Sequence, residues 1–148
     1  MTERRLLLVN GPNLNMLGTR QPEIYGSTTL AQIVESVTAF AAELGFTVRA
    51  VQSNHEGDLI DAIHAARGDC AGIVINPAAY THTSVAIADA LTAAELPVVE
   101  VHLSNIHKRE AFRHHSFVSP VAEMVVAGAG PLGYELAVRF LANRLGPA

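Results

Sequence analysis

The chain has one cysteine and one lysine in 148 residues, and each scarcity excludes a kind of chemistry. Cys70 stands alone, so an internal disulfide is impossible, and it reads as a small buried hydrophobe suited to a reducing cytoplasm. Nine arginines leave Lys108 as the sole lysine, in a polar stretch after His107 with no apolar surroundings to depress its amine. Schiff-base chemistry therefore has no good candidate. Charged residues make up 16%, below the usual quarter, and the net charge is −4. With no basic stripe, nucleic acid is not an expected partner. The apolar run near the start is too short for a signal peptide or a membrane span. Seven histidines occur without H-E-x-x-H or paired-cysteine spacing, so no metal site is expected.

What the chain does have is alternation. Apolar runs at 6–10, Phe46–Gln52, Gly72–Asn76, Val98–His102 and 121–127 predict strands. Helix-period segments separate them at 30–44, 58–67, 83–96 and 134–145. In the first, Leu30, Ile33, Val34, Val37, Phe40, Ala41 and Leu44 form a core-facing stripe, and Gly45 follows as a C-terminal cap. Strands alternating with helices imply a parallel sheet covered on both faces. The expectation is one α/β domain over 1–148, a doubly wound, flavodoxin-like, five-stranded parallel sheet. Ligands in such folds bind outside the carboxyl ends of the strands, where strand order reverses.

The unusual polar residues collect at those ends. The first strand leads into a long segment from Asn10 to Gly26 that carries three asparagines, Arg20 and Tyr25, with Leu14, Met16 and Leu17 that a solvated linker avoids. Glu100 and His102 lie two apart on one strand, so their side chains point the same way. They read either as a structural salt link or as a carboxylate that orients a histidine general acid. Tyr25 is either a packing residue or a base whose phenolate Arg20 would favour. Asn13 and Asn76 suit turns, or the uncharged grip of a water or a hydroxylated ligand. His82 is placed at the amino end of the third helix with Asp89 two turns along the same face, and Arg113 lies in a basic segment. Gly128-Ala-Gly-Pro-Leu-Gly133 matches G-x-G-x-x-G, but no further strand with an acidic residue follows it, so it reads as a tight strand-to-helix turn.

Several of these blocks together carry a family resemblance. Asn10-Gly-Pro-Asn-Leu-Asn, Arg20-Gln-Pro-Glu-Ile-Tyr-Gly26, Ser53-Asn-His-Glu-Gly57, Ile75-Asn-Pro-Ala-Ala-Tyr-Thr-His82, Val99-Glu-Val-His-Leu-Ser-Asn-Ile-His107 and Phe112-Arg-His-His-Ser116 resemble type II 3-dehydroquinate dehydratase, in the family's order and over essentially the whole chain. The resemblance implies a hydro-lyase of the shikimate pathway, leading to chorismate and the aromatic amino acids, that works without cofactor or metal. It implies Tyr25 as base, Arg20 as transition-state stabiliser, Asn13 holding a water at an enolate, and His102 as acid oriented by Glu100. Substrate contacts fall on Asn76, His82, Arg113 and the amides of Leu103 and Ser104. Asp89 would reach a neighbouring subunit's site in a cytoplasmic dodecamer of trimers, and the long first loop would bring Arg20 and Tyr25 over a floor of Asn76, Glu100 and His102.

Two other readings are weaker. A receiver domain needs clustered acids where this chain has Asn10 and Asn76, and a late lysine that it lacks. A flavin- or nucleotide-binding redox protein would rest on the glycine pattern alone.

Overall fold

The computed structural model describes residues 4–19 and 22–147, the side chains of Ile24 and Tyr25 excepted. Five strands form one sheet: β1 (Arg4–Asn10), β2 (Phe46–Gln52), β3 (Gly72–Asn76), β4 (Val98–His102) and β5 (Met124–Ala127). Their order is β2-β1-β3-β4-β5 and every pairing is parallel. This is the doubly wound, flavodoxin-like arrangement expected of the alternating pattern, and strand order reverses between β1 and β3. Residues from Leu6 to Val9, all of β3 and all of β4 are buried, as strands covered on both faces must be.

Helices supply the cover: α1 (Pro22–Tyr25), α2 (Leu30–Glu43), α3 (Glu56–Ala66), α4 (Val85–Ala94) and α5 (Leu132–Leu145). Alternate residues of β1, β3 and β4 divide between two cores. Leu6, Leu8, Val74, Val99 and Val101 pack with Ile33 and Val37 of α2 and with Tyr134, Val138 and Leu141 of α5. Leu7, Val9, Ile73 and Ile75 pack with Leu59 and Ile63 of α3 and with Ile87 and Leu91 of α4. At the start of α2 the Thr29 hydroxyl accepts from the Gln32 amide, and the Gln32 carboxamide accepts from the Thr29 amide. This reciprocal cap satisfies two donors that a helix start leaves unpaired.

The structure moves several boundaries read from the pattern. Helix α3 begins at Glu56, two residues before the pattern suggested, because the His55 carbonyl accepts from Asp58 and Leu59 and closes the first turn despite Gly57. Helix α4 begins at Val85, where the Ser84 hydroxyl caps the Ile87 amide, and ends where Glu95 turns left-handed (φ 55°). His82 therefore closes a preceding 3₁₀ segment, Ala78–His82, and shares no helix face with Asp89. Strand β5 starts at Met124, because Ser119–Val121 with Pro120 forms a 3₁₀ turn instead. The described part of the segment after β1 contains a 3₁₀ turn at Leu14–Met16 and the short α1.

Gly11 is the tightest joint between this segment and β3. A Cβ there would lie 2.3 Å from the Pro77 carbonyl oxygen, and the Gly11 amide donates to the Asn76 carbonyl at 2.8 Å. Gly11→Ala should lower unfolding free energy by about 1–3 kcal/mol, because backbone must give way. Gly57→Ala, where a Cβ meets nothing within 4 Å, should raise it by about 0.5–1 kcal/mol. Denaturant titration of both variants checks the pair, and equal effects would contradict the clash.

Candidate active site

A cleft of about 230 Å³ opens at the carboxyl ends of β1, β3 and β4. One wall is the turn after β1, with Asn13, Leu14 and Leu17. Asn76 and His102 come from the last positions of β3 and β4, while Arg109 and Arg113 bring two guanidinium groups to the opposite side. Its size is below the usual range for drug-sized ligands, which suits one small ring. Glu110 pairs with both arginines, at 3.8 and 3.1 Å.

Glu100 does not line the cleft but lies buried behind His102, with no lysine or arginine among its hydrogen-bond partners in the described residues. Glu100 is fully buried, and its Oε2 accepts from His102 Nε2 at 2.5 Å and from the Ser116 hydroxyl at 2.9 Å. Its Oε1 accepts from the Ser119 hydroxyl at 2.6 Å. The Ser116 oxygen in turn accepts from the amides of Val118 and Ser119, which holds the serine turn in place. Burial pushes the Glu100 carboxyl up, but the hydrogen bonds from His102 and the two serines outweigh it and hold the group below the ordinary glutamate value. A carboxylate so held accepts the Nε2 proton of His102 and leaves Nδ1 without a protein partner among the described residues.

His82 lines the cleft through a different device. Its Nδ1–H donates to the His115 carbonyl at 2.8 Å, so in the neutral ring Nε2 is an acceptor. Burial lowers its pKa, the His115 carbonyl opposes this, and the charges of His102 and Arg113 lower it further. Neutral His82 can thus receive a hydroxyl proton. Arg113 is steered by Glu110, whose Oε1 accepts from its Nε at 3.1 Å.

The remaining expected residues divide. Asn13 lines the cleft in a left-handed conformation (φ 69°), with its amide donating to Asn54 Oδ1 at 3.0 Å. Leu103 lines it too, and Ser104 follows, half-buried. Asp89 is exposed on α4 and does not line this cleft. Arg20 lies outside the described residues. Tyr25 ends the α1 backbone, and its side chain lies outside them as well. Sequence reasoning missed Arg109, Ser116, Ser119 and Asn54. The Ser-x-x-Ser spacing of Ser116 and Ser119 was the one available signal, since serines so placed commonly cap local turns. Among the described residues, no three His, Cys, Asp or Glu side chains gather as a metal would require. Nor is any helix there long and apolar enough to cross a membrane.

Residues 4–142 match the family model for dehydroquinase class II. The chain belongs to that family. It is 63% identical over 141 residues to 3-dehydroquinate dehydratase 2 of Pseudomonas aeruginosa, a match covering 95% of each chain. It is 58% identical to a catabolic 3-dehydroquinase of Phaeosphaeria nodorum, covering 97% of this chain and 95% of that one. The crystal structure of type II dehydroquinase from Propionibacterium acnes superposes with a TM-score of 0.91 at 45% identity, covering 97% of this chain and 98% of the other. As a class II dehydroquinase, the chain has its cleft at the sheet's switch point, with His102 lining it and buried Glu100 behind His102.

Because folding lowers the Glu100 pKa, its carboxylate adds stability that is complete above the unfolded value of about 4.3 and is lost as pH falls through the folded value. Glu100→Gln should cost about 1.5–3 kcal/mol at pH 7 and should then lose less stability than wild type between pH 6 and 3. Denaturant titrations across that range decide it, and identical slopes for the two proteins would contradict the assignment.

Proposed function

We propose that this class II dehydroquinase converts 3-dehydroquinate to 3-dehydroshikimate and water by stepwise acid–base chemistry, with neither Schiff base, metal nor cofactor. The observation that carries the reading is His102 lining a cleft beside two arginines, with buried Glu100 held behind it. Such a cleft suits a small hydroxylated ring bearing a carboxylate.

Tyr25 as phenolate takes a proton from the carbon alpha to the ketone, and the electron pair moves into the carbonyl to give an enolate. Arg20 keeps the phenol ionised and offsets the developing charge. These two assignments rest on the match of Arg20-Gln-Pro-Glu-Ile-Tyr-Gly26 to the family pattern. Asn13 lines the cleft, where it holds a water against the enolate oxygen. When the enolate collapses, the bond to the departing hydroxyl breaks, and His102, as imidazolium, gives its Nδ1 proton so that water leaves. Glu100, which accepts from Nε2 at 2.5 Å, stabilises that imidazolium. The proton taken up by Tyr25 returns to His102 through solvent, which resets both groups.

Arg113 and the amides of Leu103 and Ser104 receive the substrate carboxylate, while Asn76 and neutral His82 hold its hydroxyls. The enzyme acts as one catalytic domain over 1–148 in the cytoplasm, where the lone thiol of Cys70 is stable. It assembles as a dodecamer of trimers, and exposed Asp89 then reaches a neighbouring subunit's cleft. The step belongs to the shikimate pathway toward chorismate.

Purified protein given 3-dehydroquinate should produce the ultraviolet absorbance of a conjugated enone, undiminished by chelator or by borohydride. Absence of that signal sinks the reading, and inactivation by borohydride sinks its Schiff-base-free chemistry. Tyr25→Phe and His102→Ala should each fold and lose about 10²–10⁴-fold in kcat. Wild-type turnover in either variant removes that residue from its role.

A further inference from the structure

Gly128-Ala-Gly-Pro-Leu-Gly133 has no part in the proposed chemistry, yet it is sewn to the end of β4. The Gly128 amide donates to the His102 carbonyl at 3.2 Å, and the Gly130 amide to the Leu103 carbonyl at 3.0 Å. Both glycines have positive φ, 91° and 62°. A Cβ on Gly133 would stand 3.3 Å from Val101 Cγ1, so α5 approaches the sheet as closely as a glycine allows. The next residue is Tyr134, whose ring is wholly buried against that sheet face.

Asn10 and Asn76 are register partners at the carboxyl ends of β1 and β3, and the Tyr134 hydroxyl bridges them. It donates to Asn10 Oδ1 at 2.7 Å and accepts from Asn76 Nδ2 at 2.9 Å. A phenol has one proton to give. Once that proton is committed to Asn10, the oxygen can only accept, so Asn76 must present its NH₂ end. The other end is held by the Ala78 amide, which donates to Asn76 Oδ1 at 3.1 Å. The carboxamide is clamped from both sides, with one N–H and one lone pair left for a ligand in the cleft that Asn76 lines.

We propose that Tyr134 is a positioning residue for substrate binding: placed by the glycine turn and polarised by Asn10, it holds the Asn76 carboxamide in the orientation that contacts substrate. This rests on the reading that Asn76 binds a substrate hydroxyl. Burial drives the Tyr134 phenol far above its ordinary pKa, against the pull of the Asn76 hydrogen bond, so the phenol keeps its proton throughout the working pH range.

Steady-state kinetics of Tyr134→Phe, Asn76→Ala and the double variant test the link. Tyr134→Phe should raise KM for 3-dehydroquinate about three- to tenfold, the range one lost hydrogen bond allows, with kcat little changed. In the Asn76→Ala background the same change should leave KM where Asn76→Ala alone puts it. A merely structural role would lower stability without this split or this non-additivity. If Asn76→Ala raises KM and Tyr134→Phe does not, or if the two effects multiply, the inference falls while the substrate reading stands. If Asn76→Ala leaves KM unchanged, the substrate contact is wrong and the inference falls with it. Should Tyr134→Phe not fold, Asn10→Ala keeps the ring and frees its proton; KM must then rise, and Asn10→Ala must add nothing to KM in the Asn76→Ala background, for the link to hold.

Discussion

A carboxylate in the middle of a parallel sheet is the constraint on which this site depends. Glu100 is fully buried on β4, where an unsatisfied charge would cost several kcal/mol. Three donors meet it: one imidazole and two hydroxyls. Each donor has a structural consequence. His102 must turn Nε2 inward, which commits its tautomer. Ser116 and Ser119 must lie close by, so the chain between β4 and β5 folds back over the strand. The Phe117 amide donating to the Thr81 carbonyl fastens that return against the segment carrying His82. Satisfying one buried charge thus arranges two of the cleft's histidines.

The opposite face of the sheet meets a neutral version of the same problem, and among the described residues satisfies Asn10 at its oxygen but not at its buried Nδ2. Asn10 and Asn76 end adjacent strands where strand order reverses, and both are buried among aliphatic side chains. Tyr134 supplies an acceptor for one and a donor for the other from α5. Pleating assigns the two networks to different faces, because Glu100 and His102 share the parity of Val98, and Asn10 and Asn76 that of Leu8 and Val74. The cleft lies where the faces meet, beyond the last hydrogen bonds of the sheet. Ionic and neutral groups therefore serve one cavity without competing for the same partners.

Much of the fold was legible because burial leaves a periodic trace. The apolar runs at Phe46–Gln52, Gly72–Asn76 and Val98–His102 coincide with β2, β3 and β4. Boundaries were lost where a single local contact decided them: the Ser84 cap that starts α4, or Pro120 turning the chain before β5. The displacement of His82 from α4 follows from that cap and is the reason His82 and Asp89 part. Polar residues at strand ends were visible as a set, since buried amides and acids are rare enough to stand out. Ser116 and Ser119 carried little signal, because serines in a loop ordinarily face water. Arg109 looked like one more residue of a basic segment until the chain's return brought it to the cleft.

The order of apolar and polar residues by itself determined a five-stranded parallel sheet, its two helical layers and the edge at which polar groups gather. It determined these because period and strand-end position are local properties. Which groups actually touch is a property of distance across the chain. Glu100 meets Ser119 across 19 residues, and Tyr134 meets Asn10 across 124. Only the tertiary structure decided that the phenol after the glycine turn lies between two asparagines, because that contact, like the close approach of Gly133 to Val101, forms only when α5 docks on the sheet.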